Sequence, residues 1–148
     1  FIRGQRYSLL PALSMDGIVA MEIFPGSVNK EKFIHWHFVH HQQIAPILSP
    51  YPGRNSAVVF DNCAIHHDEE IRRIVVDEYF IPRRKTHLPS SSPDFNPIEQ
   101  SFHPIKSWLR RHEDEATNAN VRPWLIHQAA MTLTPELALP YIKNCGYE

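Results

Sequence analysis

The residue pattern predicts an α/β domain in which helices pack on a mixed sheet. Three observations lead there. Two strand-like runs flank an Asp-Gly turn near the start of the chain. A continuous apolar run at residues 57–60 ends in an aspartate. Helical periodicities lie between and after the strands, in the order strand-strand-helix-strand-helix-strand-helix.

The first two strands are residues 6–13 and 18–24, joined through Ser14-Met15-Asp16-Gly17. Asp-Gly between apolar runs is a strong hairpin signal, so Asp16 reads as a turn residue rather than a catalytic acid. Pro25-Gly26-Ser27 closes the hairpin, and Asn29 caps a helix running to about Ala45, where Pro46 stops it. On that helix Phe33, Trp36, His40 and Ile44 recur at spacings of 3, 4 and 4, which is one face. Ala57-Val58-Val59-Phe60 suits a strand buried on both faces, as in a mostly parallel sheet covered by helices. Asp68-Glu69-Glu70 opens the next helix, its acids complementing the positive helix N-terminus. Lys85-Thr86-His87-Leu88 is a short strand. The most regular helix starts at Asn96-Pro97, with Ile98, Phe102, Ile105, Trp108 and Leu109 as its apolar stripe. Residues 123–144 read as one or two short helices broken by Pro135 and Pro140.

Composition bounds the rest. A chain of 148 residues is one ordinary domain, and 43% hydrophobic with 21% charged residues excludes general disorder. A net charge of −1 advertises no nucleic-acid partner. With 13 prolines and only 5 glycines, the chain is stiff and punctuated rather than linker-like. No apolar run approaches the roughly 20 residues of a membrane span, and no signal-peptide pattern is present, so no membrane association is expected. The opening Phe1-Ile2-Arg3-Gly4-Gln5-Arg6 reads as a segment that begins part-way through something. Cys63 and Cys145 lie 82 positions apart without a Cys-x-x-Cys pair, and two reduced thiols are expected.

Three constellations carry chemistry. In Phe60-Asp61-Asn62-Cys63-Ala64-Ile65-His66, a carboxylate stands where a strand gives out, the place where α/β sheets bind ligands. A strand-ending Asp-Asn turn explains the same residues, and taken alone is the better account. In Ser90-Ser91-Ser92-Pro93-Asp94-Phe95-Asn96-Pro97-Ile98-Glu99, Asn96 suits an N-cap and Pro97 the first helical position. Glu99 follows the cap by three, the spacing at which its carboxylate reaches back to the cap N–H. Capping accounts for Glu99 without catalysis, but not for the rigid Pro/Ser approach. From Glu99 the same face continues through His103, Lys106 and Arg110, an acid followed by phosphate-binding cations or simply a solvated strip. Thirdly, His35, His37, His40 and His41 crowd the first helix. His37 and His41 have the spacing of a metal pair, yet no third ligand is evident, and packing or surface roles are the better reading.

Taken together these segments resemble the catalytic domain of DDE-superfamily endonucleases, specifically mariner-type transposases. Residues 5–18, with the Ser14-Met15-Asp16-Gly17 turn, resemble the family's hairpin, and Phe60-Asp61-Asn62-Cys63-Ala64-Ile65-His66 its second acidic motif. Ser92-Pro93-Asp94-Phe95-Asn96-Pro97-Ile98-Glu99, continued by Lys106, Trp108, Arg110 and Arg111, resembles the third. The resemblance implies an RNase H-like fold, a mixed sheet flanked by helices. It also implies DNA cleavage and strand transfer with two Mg²⁺ or Mn²⁺ ions held by three carboxylates. On it Asp61 is the second carboxylate and Glu99 the third. His66 and Asn62 are nearby polar support, and Asp94 is a turn residue and reserve candidate for the third acid. Lys106, Arg110 and Arg111 become DNA-backbone contacts.

The same resemblance marks departures. The family's first carboxylate lies on the central strand preceding the hairpin, and residues 1–5 contain no acid. The expectation is therefore one RNase H-like domain over residues 1–148, incomplete at its N-terminus and inactive alone, with at most one weak metal site. Between Asp61 and Glu99 stand 37 residues, longer than the family's commonest spacing. Pro104 inside the Glu99 helix removes a hydrogen bond and crowds the Gln100 carbonyl, at about 3 kcal/mol. The alternative is a non-enzymatic module that binds DNA or protein through Lys106, Arg110, Arg111 and Arg83-Arg84-Lys85. The resemblance also implies DNA as partner, a homodimer in the full-length protein, and a nuclear or intracellular site of action.

Overall fold

A computed structural model describes residues 5–50, 53–60, 68–74, 85–87, 95–116 and 120–147. They fall into two compact units, one comprising residues 1–28 with 97–148, the other residues 29–96.

The first unit begins with the hairpin, strands β1 (Tyr7–Ser14) and β2 (Gly17–Pro25), paired antiparallel. Met15 and Asp16 form the two-residue turn, and Ser14 Oγ accepts a bond from the Asp16 N–H at 3.0 Å. Asp16 is exposed, as a turn residue should be. The register slips between Ala12 and Leu13: Leu13 faces Ile18 but Ala12 faces Ala20, so Val19 is the extra residue of a β-bulge. Gly17 is required where it stands. Its φ is +97°, and a Cβ there would lie 2.4 Å from the Leu133 carbonyl oxygen.

Against the hairpin pack three helices: α3 (Pro97–Arg111), α4 (Val121–Met131) and α5 (Pro135–Asn144). The core gathers Ile105 of α3, Ala129 and Ala130 of α4, and Leu133. Leu9, Ile18, Met21, Phe102, Trp108, Leu109 and Tyr141 pack around it. Small alanines at the α4 contact let the helices approach closely. Pro135 starts α5 rather than interrupting a helix, but Pro140 does not break it, lying inside α5. Pro104 likewise lies inside α3, whose fifteen residues run on through it.

In the second unit Asn29 caps α1 (Lys30–Ile44), its side chain accepting from the Lys32 N–H at 3.0 Å. Such a cap contributes about 1 kcal/mol. A 3₁₀ turn with Pro46 at its centre, Ala45–Ile47, ends the helix. Phe33, Trp36 and Ile44 are buried as the periodicity predicts, but the buried histidine is His37, 2% exposed. His40 is half-buried instead. Its ring lies against Trp36, and its Nδ1 is 3.2 Å from Gln43 Oε1. Strands β3 (Val58–Phe60) and β4 (Lys85–His87) pair in parallel, Val58 opposite Lys85 and Phe60 opposite His87. Contrary to the expectation of burial on both faces, all three residues of β3 are half-buried. Among the described residues β3 pairs with β4, and Phe33 lies edge-on to Phe60 at 6.4 Å. Helix α2 (Glu69–Arg73) is capped by Asp68, whose carboxylate accepts from the Glu70 N–H.

The α/β class and the mixed strand directions are as the sequence predicts. Among the described residues the strands form two two-stranded sheets, one antiparallel and one parallel. No helix among them is long and apolar enough to cross a membrane.

Candidate active-site helix

Helix α3 carries what the described residues contribute to the site. Its buried side is set by Ser101, 0% exposed, and Ile105, 3%. One side-chain bond stays within its first turn and another ties that turn to the rest of the unit. Ser101 Oγ donates to the Ile98 carbonyl at 2.6 Å, and Gln100 Nε2 donates to the Cys145 thiol at 3.3 Å, tying α3 to the end of α5. Cys145 itself is a buried, reduced thiol.

Ser101 is buried and Gln100 is bonded to Cys145, whereas Glu99 beside them is exposed. The reach-back to the cap does not form: among the described residues Glu99 makes no hydrogen bond and no ion pair. Asn96, just before the helix, is buried. The capping account of Glu99 is thereby removed, and a carboxylate at the positive end of a helix dipole is left open to an external partner.

The strip read from the sequence is present. Glu99, His103, Lys106 and Arg110 are all exposed, and Arg111 beside them is too. Lys106 lays its stem along the helix, Nζ 5.8 Å from the centroid of the Phe102 ring. Arg110 and Arg111 stand in the last turn, where the helix dipole favours cations. Below them the Trp108 and His112 rings stack at 3.7 Å and 11°. His112 Nδ1 lies 2.8 Å from the Trp108 carbonyl, and because a carbonyl only accepts, Nδ1 carries the proton. The burial of Ser101, the Gln100–Cys145 bond and this stack are absent from the sequence reading. Only the last had a signal, an aromatic pair at i, i+4.

The remaining predicted site residues, Asp61, Asn62, His66 and Asp94, lie outside the described residues, as do Arg83 and Arg84. On α1, His37 and His41 are ring neighbours at 5.7 Å. Among the described residues no three His, Cys, Asp or Glu side chains converge to hold a metal ion.

Comparison with known proteins places the chain. No curated protein sequence matches it. A solved structure of the Mos1 transposase catalytic domain, containing raltegravir and Mg, superposes with a TM-score of 0.51 at 18% identity. The match covers 100% of this chain and 79% of the other. At that identity the likeness concerns the fold, which is that of a transposase catalytic domain. Residues 2–121 match the family model of the DDE superfamily endonucleases, about four-fifths of the sequence. A match over that much of the sequence shows that the chain belongs to the DDE superfamily of endonucleases.

Proposed function

We propose that these residues are the part of a transposase-type DNA-cleaving domain that holds two of its three carboxylates, Asp61 and Glu99. The observation that carries this reading is the exposed carboxylate of Glu99, unclaimed by any described donor and held on a helix anchored from its opposite side. Carboxylate oxygens are the hard donors that Mg²⁺ and Mn²⁺ take, so the donor chemistry fits those ions. Asp61 and Glu99 would hold such ions, whose chemistry when bound would be to activate the attacking water or 3′-hydroxyl and to stabilise the leaving oxygen. In this reading Asn62 and His66 are polar support for Asp61. Asp94 is the reserve candidate for the third acid. Lys106, Arg110 and Arg111 hold the DNA backbone, a role that positions the duplex without reading its sequence. The site of action is then wherever chromosomal DNA is reached, the nucleus in a eukaryotic cell, and the working form of the full-length protein is a dimer.

The 148 residues alone supply two carboxylates of three by this assignment, so on their own they leave plasmid DNA uncut in Mg²⁺. Nicking that disappears with Asp61→Ala would contradict this and show that the present residues suffice. A second reading has its own observation, the exposed cations of α3, which need no metal to meet phosphate. A module retained only for binding holds DNA in a salt-dependent manner without metal, and Glu99→Gln leaves that binding intact.

A further inference from the structure

Helix α3 carries Glu99 at the end that its core contacts do not reach. Its apolar contacts, Phe102, Ile105, Trp108 and Leu109, all lie C-terminal to Glu99. The backbone link from them to the first turn is weakened at Pro104, which has no N–H for the Gln100 carbonyl four residues earlier. The Ser101 Oγ bond to the Ile98 carbonyl joins two residues of the same helix, so it does not set the rotation of the turn. The bond from Gln100 Nε2 to the Cys145 thiol, 3.3 Å, leaves the helix and crosses to the end of α5.

The far end of that bond is a fixed post. Cys145 is the C-cap of α5, 5% exposed, and its N–H donates to the Tyr141 carbonyl at 3.2 Å. Beyond it Gly146 takes a φ of +85°. The Gly146 N–H donates to the Lys143 carbonyl at 2.9 Å, and the Tyr147 N–H to the Ile142 carbonyl at 3.2 Å. These are the paired bonds of a Schellman motif, which satisfies the last carbonyls of α5 and holds the Cys145 backbone in one conformation.

Small rotations matter at Glu99. A side-chain tip about 6 Å from the helix axis moves about 1 Å when the turn rotates by about 10°. A metal ligand has to be held within about 0.5 Å of its working position. Gln100 is the next residue in the chain, so what stops its rotation also stops that of Glu99.

We propose that Gln100 is a positioning residue: its bond to Cys145 fixes the rotation of the first turn of α3 and so aims the Glu99 carboxylate at its metal ion. This rests on the reading of Glu99 as a metal ligand. Gln100 and Cys145 act through Glu99 and are not ligands themselves.

The test is the Mn²⁺ affinity of the 148-residue chain, read by water-proton relaxation at a temperature where circular dichroism shows every variant folded. Gln100→Met keeps the side-chain length and removes the donor; Cys145→Ala removes the acceptor. Each is expected to weaken Mn²⁺ binding by about tenfold. The double variant should lose no more than either single one, because both break the same bond. Cys145→Ser, which restores an acceptor, is expected to recover the native affinity. A residue that only stabilised the fold would lower the unfolding temperature and leave the affinity of the folded chain unchanged. Native affinity in folded Gln100→Met would overturn the proposal, as would losses that add in the double variant. Gln100→Met carries the test alone if Cys145→Ala does not fold. Glu99→Ala separates the two levels. If it abolishes Mn²⁺ binding while Gln100→Met does nothing, this inference fails alone; if it binds like the native chain, the reading of Glu99 as a ligand fails with it.

Discussion

Gly17 meets two constraints with one missing atom. Its φ of +97° lies where a side chain is strained, and the space a Cβ would fill is taken by the Leu133 carbonyl. Gly17→Ala is therefore expected to destabilise the first unit by about 1–3 kcal/mol from backbone strain, before any cost of moving Leu133. A shift of the denaturant midpoint to lower concentration with an unchanged m-value checks it; an unchanged midpoint contradicts it. Part of this was legible. Asp-Gly between apolar runs locates the turn, because a left-handed position asks for glycine. Leu133 was not, since it arrives from 116 residues downstream. Glu99 shows the same limit in reverse. Its spacing from Asn96 permits a capping bond, but packing of Gln100 and Ser101 turns the helix so that the carboxylate faces outward. Local spacing states what a side chain is able to reach, and tertiary contacts decide what it does reach.

At the scale of elements, α1 and α2 are joined by charge. Lys30 Nζ lies 3.0 Å from Asp68 and 2.8 Å from Glu70, at the N-termini of both helices. The lysine's hydrogen bond holds Asp68 below its ordinary 3.8. The bonds to Glu70 and Asp68 hold Lys30 above its ordinary 10.5. A depressed carboxylate contributes stability above its ordinary value and loses it as pH falls through the folded one. A raised lysine contributes fully below its ordinary value and loses it as pH rises through the folded one. Amide protection of α2 is thus expected to fall at pH below 3.8 and again above 10.5, more visibly at low salt because these groups are exposed. Lys30→Gln should lessen both limbs in hydrogen exchange; an unaltered pH profile in that variant would remove the ion pair from the account. The acids at 68–70 were read as helix-dipole partners, which Asp68 is, as the cap. Lys30 as their counter-ion was not legible, being 38 residues away. Helix α3 shows a different gap: Pro104 costs it a hydrogen bond, and it still runs from Pro97 to Arg111. Tertiary seating of Ile105 in the core offsets the lost hydrogen bond, and the sequence alone does not reveal how much seating a helix will gain.

At the scale of the molecule, the order of motifs carried more than any single motif. Composition argued neither for nor against a DNA enzyme. The Asp61 segment read alone favoured a plain turn. What singled out a DDE endonuclease was a hairpin, an aspartate after a strand and a proline-framed Glu99 in sequence, and residues 2–121 match that family. The fold class was legible because strand and helix periods are local properties. The proposed shared use of Asp61 and Glu99 came from the resemblance alone, because 37 residues separate them and no local rule brings them together. That shared use is the central claim. Its most direct measurement is a Mn²⁺ titration of the 148-residue chain beside Asp61→Ala, Glu99→Ala and the double variant. If the two carboxylates hold one ion, the native chain has a single weak site, each substitution abolishes it, and the double variant loses nothing further. A double variant that still binds Mn²⁺ like the native chain would contradict the claim.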